Sequence, residues 1–251
     1  MKFAKKSLGQ NFLQSSEIRD QILEAAGDIK NKTILEIGPG LGFLTAKLLS
    51  SGAQLTAIEL DDRASELLKK EFGHMDNLKL IQGDILDQSL DAIFEQEKYS
   101  IIANIPYNIT APILRKCLAE TTNQPEFLLL MVQKEVAKKL VSKKRSILSI
   151  SVEIFAEAEI CFEVGREHFS PVPGVDSAII KITTRKKPLV EKSVEKKFFQ
   201  MVNRAFKEKR KKLSNSLPSE WLEGIDENLR PEVLDISDWL KITKNASKME
   251  S

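Results

Sequence analysis

Thr33-Ile34-Leu35-Glu36-Ile37-Gly38-Pro39-Gly40-Leu41-Gly42 sets a glycine-rich turn between a β-branched run and the helical pattern Phe43 to Ser50. Strand, glycine turn and helix open a nucleotide-binding α/β unit. Glycines let the backbone approach a ligand closely, and the helix N-terminus offers unpaired N–H groups. The spacing is not that of a dinucleotide turn. Gly38, Gly40 and Gly42 form G-x-G-x-G, whereas a nicotinamide-binding turn needs its third glycine at position 43, which is Phe.

Downstream, three more predicted strands end in polar residues. Leu55 to Ile58 runs into Glu59, about 20 positions after the glycines, where a carboxylate can accept from both hydroxyls of a ribose. Leu78 to Gln82 runs into Gly83-Asp84. Beside a ribose held by Glu59, Asp84 could accept from the exocyclic amine of an adenine; without its neighbours it reads more readily as a turn or cap. Ser100 to Ala103 runs into Asn104-Ile105-Pro106-Tyr107. A proline there cannot continue a central strand, so the chain leaves the sheet. The Asn amide, the Ile105 carbonyl and the Tyr ring it leaves behind are groups that hold a planar amino-bearing heterocycle by its edge and face. A strand that ends in a Pro turn with a half-buried Tyr is the plain alternative.

Phe127 to Val132 is a continuous apolar run, as in a strand buried on both faces. Strands at Glu159 to Val164 and Ser177 to Thr183 enclose a stiff loop, Glu167 to Asp176, whose two prolines and glycine fix Phe169 in place. A Phe in such a loop is more often a lid over the core than a stacking platform. Strands alternating with helices predict an open, largely parallel sheet, with the last two strands antiparallel at one end. Upstream, Lys5 to Leu13 reads as an extended arm that folds over something, ahead of a helix that Gly27 ends. From Arg185 strand signals stop. Residues 1–184 are expected to form one domain and 185–251 a small helical one, built on a helix from Lys196 to Arg210 and short helical pieces around Trp221 and Trp239.

Composition bounds the function. Of 251 residues 42% are hydrophobic and 29% charged, and Met1 to Lys6 has no apolar segment behind it, which predicts a cytoplasmic protein without a membrane span. Cys117 and Cys161 make no disulfide framework, and two histidines, His74 and His168, without close cysteines make no zinc site. No metal is expected. Residues 185–212 hold 12 Lys/Arg against 3 Asp/Glu, while the rest of the chain has 26 basic and 33 acidic residues. One basic segment on a slightly acidic protein points to a polyanion met by a defined surface.

Taken together, Leu8 to Leu13, Glu36 to Gly42, Ile58 to Asp61, Gly83-Asp84, Asn104 to Asn108, Phe169 to Ser177 and Arg204 to Leu217 closely resemble the rRNA adenine N6-dimethyltransferases of the KsgA type, in this order and over nearly the whole chain. The resemblance implies a class I S-adenosylmethionine-dependent methyltransferase: an α/β, Rossmann-like fold with a seven-stranded, mostly parallel sheet and a small C-terminal all-α domain. It implies S-adenosyl-L-methionine as cofactor. The implied substrate is a pair of adjacent adenines in the 3′-terminal hairpin of small-subunit (16S) rRNA, within a nearly mature particle, met by a monomer. Carried over by position, Asn11, Leu13, Gly38, Glu59, Asp84 and Asn104 line the cofactor. Asn104, Ile105 and Pro106 form the catalytic strand end, and Tyr107 and Phe169 sandwich the target base. Lys5, Lys6, Arg204, Lys207, Arg210, Lys211 and Lys212 are expected to clamp RNA phosphates. The antibiotic-resistance branch, acting on one adenine of large-subunit rRNA, shares the Asn-Ile-Pro-Tyr motif, but the arm and the Phe169 to Pro173 loop fit the small-subunit branch better. A nicotinamide-dependent oxidoreductase and a non-catalytic assembly factor are the readings from other classes.

Overall fold

Residues 10–248 of the computed structural model are described. The chain begins with a two-residue strand, β1 (Phe12–Leu13), and helix α1 (Ser16–Ala26). The alternation then starts with β2 (Thr33–Ile37), α2 (Phe43–Ser50), β3 (Gln54–Glu59), α3 (Asp62–Phe72), β4 (Leu78–Gln82) and α4 (Leu90–Phe94). It continues with β5 (Tyr99–Asn104), α5 (Thr110–Arg115), β6 (Phe127–Gln133), α6 (Lys134–Leu140) and α7 (Ile147–Phe155). Then come β7 (Ala156–Val164), β8 (Phe169–Ser170), β9 (Ser177–Thr184), α8 (Lys192–Phe206) and α9 (Ile236–Lys248).

Seven strands form one sheet in the order β4-β3-β2-β5-β6-β9-β7. The pairs β2–β3, β2–β5, β3–β4 and β5–β6 are parallel, and β9 runs antiparallel to β6. β6 reads as a nearly unbroken apolar run, as expected of a strand covered on both faces. Ile34, Leu35, Ile101, Ile102, Leu128 and Leu130 are all fully buried, each contributing about 1.5–3 kcal/mol on transfer from water. Helix ends follow local chemistry. The Ser15 hydroxyl accepts from the Ile18 N–H at the start of α1, and Gly27, at φ 77°, closes it.

The order of strands reverses about β2: β3 and β4 lie to one side, β5 and β6 to the other. In an open α/β sheet the crevice outside the carboxyl ends at such a point is where ligands bind. Here the glycine turn leaves β2 and Asn104 ends β5, side by side. The arm expected before α1 is partly visible as β1, which pairs antiparallel with β8, Phe12 opposite Ser170 and Leu13 opposite Phe169. Lys5 and Lys6 lie outside the described residues.

The chain divides into two compact units, residues 1–137 with 158–184, and residues 138–157 with 185–251. The division expected at 184/185 is thus one of three crossings, and residues 138–157 join the helical unit. Within that unit Arg145 holds Glu153 through two bonds of 2.8 and 3.1 Å, and its N–H donates to the Glu232 carbonyl. Phe198, Val202, Leu213, Leu234 and Trp239 are fully buried in its core. A 13-residue α9 stands where short pieces were expected, its buried face formed by Ile236, Trp239, Ile242 and Ala246 at helical spacing. With 138–157 the helical unit holds 21 basic and 13 acidic residues, against 16 and 11 for residues 185–251 alone, and the sheet unit 17 and 23.

Candidate active site at the carboxyl ends of the parallel strands

A cavity of about 300 Å³ opens at the ends of β2 to β5, bounded by the arm, the glycine turn, and the loops after β3, β4 and β5. Asn11, Leu13, Gly38, Glu59, Asp84, Asn104, Ile105, Pro106 and Tyr107 all line it. These residues come from five separate stretches, and the sheet topology alone brings them together.

Gly40 sits at φ 58°, and a Cβ on it would fall 2.8 Å from the Phe12 ring. The turn is therefore glycine both for its left-handed backbone and for the close seat of the arm. Glu59 is 4% exposed; one carboxylate oxygen accepts from the Gly40 N–H and the other from the Asp61 N–H, both at 2.8 Å. Burial pushes its pKa above the ordinary carboxylate value, opposed by those two bonds. Asp61 itself is held well below the usual range by the Arg63 guanidinium, 2.6 Å away. Asp61 also caps α3 by accepting from the Arg63 N–H.

Asn104 ends β5 with its amide nitrogen donating to the Asn11 carbonyl at 3.2 Å. That bond fixes the carboxamide, leaving Oδ1 as the acceptor a ligand can use. Ile105 comes next, 1% exposed. The Tyr107 ring is held by its hydroxyl, 2.5 Å from the Ser177 hydroxyl at the start of β9. Burial raises its pKa, with the Ser177 bond acting the other way.

Glu36, the first residue of the matching loop, is also on the wall. It is 2% exposed and accepts from the Thr45 hydroxyl at 2.7 Å. Burial pushes its pKa from 4.5 up to about 8, the Thr45 bond opposing and the Glu59 charge adding. Folded Glu36 thus keeps a proton that the unfolded chain releases above pH 4.5. Stability should fall as pH rises from about 4.5 to 8 and then level off. In urea titrations at pH 5, 6.5 and 8, Glu36→Gln is expected to flatten that decline; parallel profiles for the two proteins would contradict it. Sequence pattern offered no sign of the Thr45 partner nine residues on, nor of Ser177.

Phe169 is not on the cavity wall. It is 2% exposed and belongs to the core cluster with Leu13 and Val164. The reason is the pairing of β8 with β1, which sets Leu13 opposite it. The basic residues of the helical unit divide as well. Arg204 spends its Nε on the Ser216 carbonyl at 3.0 Å, with its guanidinium 4.9 Å from the Trp221 ring centre. Lys211 pairs with Glu208 and Lys212 donates to Asn228. Lys207 and Arg210 are exposed.

The wall suits S-adenosylmethionine. Among the described residues it carries three acidic side chains, Glu36 held protonated beside Glu59 and Asp84, and no Lys, Arg or His. A sulfonium and an ammonium fit such a lining, and a pyrophosphate does not. No group of His, Cys, Asp and Glu among the described residues could hold a metal ion.

A profile described as ribosomal RNA adenine dimethylase matches residues 1–248. Ribosomal RNA small subunit methyltransferase A of Enterococcus faecalis is 37% identical, covering 97% of this chain and 90% of that protein. Its namesake from Dehalococcoides mccartyi is 38% identical over 95% of this chain and 87% of that protein. Among solved structures, a dimethyladenosine transferase from Plasmodium falciparum superposes with a TM-score of 0.80 at 27% identity, covering 95% of this chain and 98% of that one. The 23S rRNA methyltransferase ErmE superposes with 0.75 at 26% identity, covering 94% and 100%.

Proposed function

Since the chain belongs to the ribosomal RNA adenine dimethylase family, we propose that its cavity serves N6-dimethylation of two adjacent adenines in the 3′-terminal hairpin of small-subunit rRNA. The protein is an S-adenosylmethionine-dependent rRNA adenine dimethyltransferase. Relatives named for the small subunit are 37–38% identical to it, against 26% for the 23S enzyme, so the large-subunit alternative is not favoured.

The observation that carries the mechanism is the Asn104 amide, tied through its nitrogen to the arm at the point where β5 meets the cavity. The N6 amine of adenine is a poor nucleophile because its lone pair is delocalised into the ring. Asn104 Oδ1 and the Ile105 carbonyl would accept its two N–H bonds, favouring a more tetrahedral nitrogen whose lone pair is aimed for attack. Pro106 turns the chain so that this carbonyl leaves the ladder, and Tyr107, braced by Ser177, stacks on the base. Such stacking contributes about 1–3 kcal/mol toward extruding it from the RNA. In this arrangement Phe169 supports the site from below, through Leu13. S-adenosylmethionine, when bound, supplies a methyl group on a sulfonium that is already a good leaving group. Glu59 and Asp84 would hold its ribose and adenine, with Gly38, Asn11 and Leu13 closing around it. No side chain here acts as a strong base, and the amine proton leaves to water after alignment has done its part.

The helical unit would clamp phosphates, and the monomer would act in the cytoplasm on a nearly mature small-subunit particle. Replacing Arg210, Lys211 and Lys212 together by Ala is expected to weaken RNA affinity and to lower the slope of log K against log salt by about 2–3. An unchanged slope would put the phosphate contacts elsewhere. The deciding experiment is radiolabelled methyl transfer to undermethylated small and large subunits with the modified bases mapped. Label on two neighbouring adenines near the 3′ end of small-subunit rRNA supports the proposal, and label on the large subunit overturns it.

A further inference from the structure

We propose that Lys116 is a positioning residue for the cofactor's adenine, acting through Leu86 on Asp84. This rests on the reading that Asp84 meets that adenine. Three observations carry it. Asp84 stands on the cavity wall just after β4, and its Oδ1 accepts from the Leu86 N–H at 2.9 Å. The Leu86 carbonyl in turn accepts from Lys116 Nζ, also at 2.9 Å and partly buried. Lys116 opens a π-helical turn, Lys116–Glu120, that continues α5.

One residue, Leu86, therefore has its N–H on the acid and its carbonyl on the ammonium. A bond from a charged donor is about twice as strong as a neutral one, so Lys116 fixes the carbonyl of the residue whose N–H orients Asp84. With Oδ1 taken, Oδ2 is the oxygen turned over to a ligand. The loop also braces itself, with the Asp87 N–H on the Asp84 carbonyl and the Gln88 N–H on that of Ile85.

The helical stretch that supplies Lys116 starts at Tyr107, on the other side of the cavity. The π-helical turn is closed by Thr121, whose N–H and hydroxyl both donate to the Lys116 carbonyl, at 3.1 and 2.8 Å. One helical stretch thus starts at the ring proposed to stack on the base and, further along, supplies the lysine that braces the Asp84 loop.

The test uses Lys116→Met, which keeps the length of the stem, in the full chain. S-adenosylhomocysteine affinity by calorimetry is expected to fall about three- to tenfold. The cofactor KM should rise in step, with kcat at saturation changed less than about twofold, and the Leu86 amide should exchange faster in the cofactor-free protein. Lys116→Arg, which restores a charged donor, should recover most of the affinity. Wild-type affinity in Lys116→Met alongside weakened binding in Asp84→Asn would overturn the positioning role alone. Wild-type affinity in Asp84→Asn would overturn the reading of Asp84 as well, and the Leu86 exchange rate would then still show whether Lys116 holds the loop.

Discussion

Asn104→Ala is expected to lower kcat for methyl transfer by about 10²–10³-fold, the range seen when one preorganised hydrogen-bonding group is removed from a reacting centre. Particle binding should stay within about twofold of wild type, because the phosphate contacts are proposed for other residues. The geometry sharpens this expectation. In the proposed mechanism Asn104 carries two functions on one amide: its nitrogen holds the Asn11 carbonyl of the arm, and its oxygen would accept from the amine. Asn104→Asp separates them, since a carboxylate keeps an acceptor for the amine but repels the Asn11 carbonyl. It should therefore raise the cofactor KM more than Asn104→Ala does, by loosening the arm. Labelled transfer to undermethylated small subunits reads kcat, and calorimetry with S-adenosylhomocysteine reads the arm. Full activity in Asn104→Ala would remove the proposed mechanism.

Glu59→Ala should weaken cofactor binding by about a hundredfold or more and also destabilise the fold. Both oxygens of this carboxylate already accept backbone N–H groups, from Gly40 and Asp61. On the proposed reading, their remaining lone pairs would accept from two ribose hydroxyls. Truncation leaves two buried donors without acceptors, each costing about 1–3 kcal/mol, and forfeits hydrogen bonds to a charged group worth a similar amount each. Glu59→Gln tests the same point with less loss of volume. Its amide nitrogen must face one of the two backbone donors, so it should restore only part of the binding. Calorimetry and thermal unfolding of the same samples separate the two effects. Unaltered affinity in both variants would mean that the ribose partner is another residue.

How legible the site was in the sequence depended on whether a residue's partner lay nearby along the chain. The glycine turn, Glu59, Asp84 and Asn104 were each readable because each ends or succeeds a recognisable strand, and parallel strands deliver their carboxyl ends to one edge. Partners supplied by distant segments left no trace. The Asn11 carbonyl lies 93 positions from Asn104, Ser177 lies 70 from Tyr107, and Lys116 lies 30 from Leu86. The basic run illustrates the same limit: Arg204, Lys211 and Lys212 look alike in a string, yet each is engaged by a neighbour that only folding supplies. Residues 138–157 read as part of the sheet domain because they sit between its strands. Their packing places them in the helical unit, where Arg145 finds Glu153 and Glu232.

Local physics in the chain determined the alternation of strands and helices, the turn at Gly38 to Gly42, and the exit from the sheet at Pro106. Periodicity, glycine and proline act over a few residues, so no tertiary contact is needed to read them. The tertiary structure alone decided which side of Phe169 is covered. The pairing of Leu13 with Phe169 joins residues 156 positions apart, and nothing local marks a two-residue strand whose one partner lies so far along the chain. It also decided which atom of Asn104 faces the cavity, because that choice is made by the carbonyl of an arm arriving from the other end of the domain.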